Sequence, residues 1–165
     1  MKLSRVEVPP IFNHLELCVA DIISNHSKLT RLFVTYRPPS ANREPSSVQY
    51  TSDLCTCIEN LLPPTGSIIL VGDLNFPTIN WQDDNCIKCS NLSCSGCFLS
   101  LYYKLGLQQF VLLPSRNDSI LDLILSNDTN CILNVEIAES FSTSDHNSVI
   151  FYILIEFVAA NSLTP

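Results

Sequence analysis

Between Ser67 and Asn75 the chain reads Ser-Ile-Ile-Leu-Val-Gly-Asp-Leu-Asn, and a run of this kind leaves few architectures open. Ile68 to Val71 are apolar without a break and led by β-branched residues, which reads as a short buried strand. Gly72 ends the run and lets the chain turn, so Asp73 and Asn75 emerge together at the strand's C-terminal edge. There the acid ionises while the amide both donates and accepts hydrogen bonds, a combination suited to handling a water and a phosphate together. The same residues also make an ordinary Asx turn, and spacing alone leaves both readings open.

The remainder alternates strands with helices. Residues 1–11 read as an irregular lead-in, residues 12–158 as one domain and residues 159–165 as a tail. Leu15, Leu17 and Val19 alternate with Glu16, Cys18 and Ala20 in a strand that runs to Ile23, and Leu29 to Tyr36 reads as its hairpin partner. Pro38 and Pro39 end that partner, because proline cannot donate to a ladder. Val48, Thr51, Leu54, Ile58 and Leu61 fall at helical spacing behind a cap at Ser46 or Ser47. A second helix is signalled from Phe98 to Leu105, with Gly106 as its stop. Strands are expected at Ile120–Leu125, Cys131–Ala138 and Asn147–Phe157. The resulting fold class is α/β and layered.

Composition supports a folded globular chain, with 165 residues and 46% hydrophobic content. A net charge of −7 is a poor match to loose nucleic-acid binding, which draws its affinity from Lys and Arg, and suits a site where carboxylates hold a cation. The N-terminus has no apolar signal core, and the longest apolar run, Val149 to Ile155, is far too short to span a membrane. The expectation is an intracellular chain of nucleus or cytoplasm, without membrane contact, whose eight cysteines are reduced.

Three polar features interrupt the apolar pattern. Asp122 breaks Ile-Leu-Asp-Leu-Ile-Leu and needs a partner if buried. Asp145 and His146 open the last strand, where neighbouring side chains point to opposite faces and so do different jobs. Taken singly, each also fits a surface turn or a satisfied core polar group.

In chain order these features run Tyr36-Arg-Pro-Pro, Gly72-Asp-Leu-Asn75, Leu121-Asp122 and Ser144-Asp145-His146, joined by Phe76-Pro-Thr-Ile-Asn-Trp81 and the Pro114-Ser-Arg116 turn. The set resembles the endonuclease/exonuclease/phosphatase superfamily, and more narrowly the endonuclease domain of non-LTR retrotransposons, from about Phe12 to Phe157. The resemblance implies a layered α/β sandwich and Mg²⁺- or Mn²⁺-assisted hydrolysis of a phosphodiester, nicking DNA to leave a 3′ hydroxyl for a reverse transcriptase. By the same resemblance Asp73 positions or deprotonates the attacking water, and Asn75 holds the phosphate. His146 stabilises the developing charge with Asp122 as its orienter, Tyr36 places its hydroxyl at the phosphate, and Asp145 helps hold the cation.

The resemblance also implies a departure. The family's first half, with a catalytic Asn and a metal-binding Glu, has no counterpart here, so the chain reads as the C-terminal portion of the domain. Weak or absent activity follows from a site short of carboxylates. Aggregation is expected through apolar faces exposed at Ser67–Val71 and Val149–Ile155. A catalytically dead remnant acting as a binding module is the alternative reading.

Outside the family pattern stand Cys86, Cys89, Cys94 and Cys97, spaced as paired C-x₂-C motifs that could hold zinc and organise a small structural domain. The four residues separating the pairs make a short gap for such a site, and unliganded thiols are the competing reading.

Overall fold

In the computed structural model, which describes residues 1–25, 28–39, 47–81 and 93–154, the chain opens with strand β1 (Lys2–Val6) and a 3₁₀ turn at Pro10–Phe12. There follow β2 (Glu16–Ile23), β3 (Leu29–Tyr36), α1 (Ser47–Asn60), β4 (Ser67–Asp73) and α2 (Cys94–Lys104). The chain continues as β5 (Gln108–Gln109), β6 (Asp122–Ser126), β7 (Ile132–Ser140) and β8 (Asn147–Ile153).

Six strands make one sheet in the order β1-β2-β3-β4-β6-β5, and β7 and β8 form a second, antiparallel pair. The β2–β3 hairpin expected from the alternation is present, in the register Glu16↔Tyr36 to Ile23↔Leu29. α1 makes the crossover that a parallel β3–β4 pair requires. β6 then runs antiparallel on the other side of β4.

Successive side chains of a strand face opposite ways, and β4 shows the consequence. Ile68 and Leu70 turn toward the helices, joining Phe33, Leu54, Ile58, Phe98, Leu101 and Leu125 in the larger core. Ile69 and Val71 turn the other way, onto Ile124, Val149, Phe151 and Ile153. The molecule is thus a layer of helices, a six-stranded sheet and a two-stranded sheet. Burial of each such aliphatic side chain contributes about 1.5–3 kcal/mol.

Several expectations are corrected. Lys2–Val6 is a strand and not an irregular lead-in. Its side chains are mostly exposed, so the backbone ladder to the open edge of β2 holds it, and no hydrophobic pattern announces it. Ser67–Val71 does not expose an apolar face, since Ile68, Ile69 and Leu70 are at most 2% accessible and Val71 packs against the smaller core. β8 does expose one: Ile150 and Tyr152 point outward, as does Leu154 just past its end. α2 begins a turn earlier than the stripe suggests, because Ser93 caps it, accepting the Gly96 amide at 3.1 Å. β6 begins at Asp122 itself, which puts that carboxylate at a strand end and not in mid-ladder. No helix among the described residues is long and apolar enough to cross a membrane.

Candidate active site

The layering brings the ends of β3, β4, β6 and β8 to one rim. Asp73 is the last residue of β4, Asp122 the first of β6, and the antiparallel register sets them directly opposite each other. His146, immediately before β8, completes the group: one donor atom from each of Asp73, Asp122 and His146 lies within 4.8 Å of the other two. His146 Nδ1 is 2.7 Å from Asp122 Oδ2. Such a bond fixes the ring's orientation and leaves Nε2 for a ligand.

Two carboxylates facing each other across strands repel. Burial pushes the Asp73 carboxyl above the ordinary carboxylate range, and the facing Asp122 pushes it the same way. His146 and the hydrogen bonds from Asn75 pull it back in part.

The turn before β6 holds this arrangement from behind. The fully buried Ser115 accepts the amides of Leu121 and Asp122 on its hydroxyl, at 3.2 and 3.1 Å. Its carbonyl accepts the Asn147 amide at 2.7 Å. Ser115 therefore links β6 to the start of β8, on either side of the Asp122–His146 bond. A serine in a Pro-Ser-Arg turn is common turn chemistry, so nothing local in the sequence marks Ser115.

Asn75 sits with φ 48°, a left-handed conformation that Asn tolerates, and its amide approaches Asp73 Oδ1 at 3.2 Å. The Asx turn and the site are thus one structure. The Asn75 side chain is buried, with Nδ2 donating to the Arg37 carbonyl at 2.9 Å, while Arg37 Nη2 donates to the Asn75 carbonyl at 3.0 Å. Arg37 also donates its backbone amide to the Asp73 carbonyl and stacks its guanidinium 4.2 Å from the Phe76 ring centroid. Burial lowers its proton affinity, against the opposing pull of Cys94, Asp73 and Tyr50. An Arg remains charged even so, placing a buried cation beneath Asp73 and Asn75. In the sequence Arg37 stands out only as an arginine followed by two prolines, where a strand has to stop.

Tyr36 ends β3, level with Asp73 by the parallel register, and is partly exposed. Its carbonyl accepts the Tyr50 hydroxyl at 3.1 Å. Asp145 lies outside the Asp73–Asp122–His146 group. Its Oδ2 is 2.5 Å from Arg116 Nη2. Of the cysteine quartet, Cys86 and Cys89 lie outside the described residues. Cys94 and Cys97 occupy the first turn of α2, with Cys94 Sγ 3.2 Å from Ser47 Oγ and Cys97 Sγ 4.0 Å from Cys55 Sγ. The segments that leave Asn75 and arrive at Asp122 also line a half-open pocket of roughly 330 Å³, walled by Thr78, Asn80, Trp81, Asp118 and Ile120.

The fold is a layered α/β sandwich of the endonuclease/exonuclease/phosphatase type, nuclease-like, whose strand ends unite two carboxylates and an imidazole. Within that class, the family model described as endonuclease-reverse transcriptase matches residues 30–150, and the chain belongs to this family. None of the curated proteins matches it. Among solved structures, the chain is similar to the catalytic domain of Xenopus laevis APE2, with 18% identity, a TM-score of 0.49, and coverage of 88% of this chain and 56% of that one. It is also similar to an endonuclease/exonuclease/phosphatase family protein from Leptotrichia buccalis, with 19% identity, a TM-score of 0.47, and coverage of 86% and 53%. The chain thus spans little more than half the length of either.

Proposed function

We propose that this chain is a phosphodiesterase-type endonuclease domain of a non-LTR retrotransposon, acting on DNA. The observation that carries the reading is the convergence of Asp73, Asp122 and His146, with the imidazole held on Asp122 at 2.7 Å. In this reading Asp73 is the general base. Burial and the facing Asp122 raise its proton affinity, the direction that favours a base. Asp122 orients His146, whose Nε2 faces the phosphate and stabilises charge developing there. Asn75 sets the turn that aims Asp73, and it and Tyr36 contribute polar groups at the phosphate.

The donor set fits a divalent cation of the Mg²⁺ or Mn²⁺ kind, which takes one or two carboxylates and fills its remaining positions with water and substrate oxygens. When bound, such an ion supplies Lewis-acid stabilisation of the transferring phosphate. Asp122 is the carboxylate placed to hold it beside the base Asp73, and Asp145 reaches it only by leaving Arg116. With two carboxylates gathered there among the described residues, the chain is proposed to be at best a weak nuclease. A loss of several kcal/mol of metal-based stabilisation slows the reaction about a thousandfold or more. A reverse transcriptase using the nicked 3′ hydroxyl, and a site of action in nucleus or cytoplasm, complete the proposal.

The test is Mg²⁺- or Mn²⁺-dependent relaxation of supercoiled plasmid by the chain, beside Asp73→Ala and Asp122→Asn. Nicking that needs the metal, vanishes in the first variant and falls about a hundredfold or more in the second supports the reading. Activity equal in all three proteins overturns it. DNA binding with no nicking at any metal concentration favours a binding module.

A further inference from the structure

Two neighbouring residues of the turn before β6 take hold of the chain on either side of His146. Arg116 Nη2 meets Asp145 Oδ2 at 2.5 Å, and the Ser115 carbonyl accepts the Asn147 amide at 2.7 Å. The Ser115 hydroxyl meanwhile holds the amide of Asp122, the residue that receives His146 Nδ1. One short stretch therefore governs both ends of the Asp122–His146 bond.

That stretch is itself stiff. The amides of Ser115 and Arg116 both donate to the Ser119 carbonyl, at 3.0 and 3.1 Å, and Ser119 returns a bond to Arg116 at 2.9 Å. Asn117 takes the φ of 48° that closes the turn. The segment it grips is the opposite in character. Phe141 to Asp145 are all exposed, and the hydrogen bonds from the Ser144 and His146 amides stay inside the segment. Such a loop gains order only from contacts that reach outside it.

We propose that Arg116 is a positioning residue: acting through Asp145, it holds the loop that carries His146 so that the imidazole meets Asp122. The proposal rests on the nuclease reading only for what His146 does once placed. The planar guanidinium suits the task, since it offers a carboxylate several donors in fixed geometry. The pair is partly exposed, with side-chain accessibilities of 39% and 69%, so it adds little to global stability. Positioning and folding can therefore be separated by experiment.

The experiment compares wild type with Arg116→Ala, Arg116→Lys and Asp145→Asn. Lys104→Ala, which breaks an equally exposed ion pair to Glu59, is the control. Three quantities are read: the thermal midpoint, the downfield NMR resonance of the hydrogen-bonded His146 Nδ1 proton, and hydrogen exchange at the Asn147 amide. Arg116→Ala and Asp145→Asn are expected to leave the midpoint nearly unchanged, lose the resonance, and speed Asn147 exchange about tenfold or more. Arg116→Lys restores both signals in part, and Lys104→Ala alters neither. A wild type without the resonance overturns the proposal, as do Arg116 and Asp145 variants that keep wild-type resonance and protection. If Arg116→Ala and Asp145→Asn both fail to fold, Arg116 is structural and the proposal falls. A wild type with the resonance intact but no nicking refutes the nuclease reading and leaves the positioning role standing.

Discussion

Asp73 works against the stability of the fold it belongs to. Because burial and Asp122 raise its proton affinity in the native state, the folded chain binds this proton more tightly than the unfolded chain does. The stability it confers is fully present below the unfolded carboxylate pKa and is lost as pH rises through its higher folded value. Asp73→Asn is therefore expected to raise the thermal midpoint by a few degrees at neutral pH, to make no such difference in acid, and to abolish nicking. Melting curves across the acid-to-neutral range check the sign, and a midpoint that falls at neutral pH contradicts it. The cysteines differ in a similar way. Burial, reinforced by the neighbouring Cys97 thiol, pushes the Cys55 thiol far up, whereas Cys18 is exposed. Iodoacetamide on the native chain should label Cys18 well before Cys55, as peptide mass mapping will show.

Among the elements, β4 and the turn before β6 carry the site, and each depends on one small residue. Gly72 has φ 139°, and a Cβ there would lie 1.7 Å from the Thr35 carbonyl oxygen of β3. Gly72→Ala strains the backbone and also forces the β3–β4 pair apart. The expected cost is about 2–4 kcal/mol in urea unfolding, with loss of nicking, because Asp73 is the next residue. Ser115→Ala is smaller in volume but strands the amides of Leu121 and Asp122 in a dry place. It should cost about 1–3 kcal/mol and loosen Asp122. Chemical denaturation reads the first effect and the His146 Nδ1 resonance the second; a variant as stable as wild type would show that another donor or a water replaces the hydroxyl.

At the scale of the whole molecule the layers are unequally covered. The six-stranded sheet is packed by the helices on one face and, around β4 and β6, by β7 and β8 on the other, whereas among the described residues the two-stranded sheet has only its inner face on the core. Its outer face presents Leu133 beside Tyr152, and Ile150, at 41%, 60% and 46% accessibility. A patch of this kind promotes association. Sedimentation at rising concentration is expected to show self-association, which Ile150→Thr with Tyr152→Thr should relieve while the midpoint changes little, since threonine retains strand propensity. Monomeric behaviour of the unaltered chain at high concentration would contradict this.

Local sequence was enough for what local forces decide. The buried strand at Ile68–Val71, the β2–β3 hairpin, both helices and the Gly72–Asn75 turn each declare themselves through periodicity, capping and turn residues within a few positions. Asp122 and His146 were legible as polar residues set against apolar runs and Asp73 as the acid emerging past Gly72 at a strand edge, and motif order, read as a family resemblance, suggested that they belong together. Long-range contacts were not legible in this way. β1 is a strand because an open edge offers it a ladder, although its own pattern is weak. The pairing of Asp73 with Asp122 follows from a register that no single run encodes. Arg37 beneath the site, Ser115 behind it and Arg116 on Asp145 owe their places to backbone carbonyls, amides and charges that packing brings from distant parts of the chain. Hydrophobic periodicity records which way a side chain faces. The partner it meets there is settled only when the layers close and every buried polar group has to be satisfied.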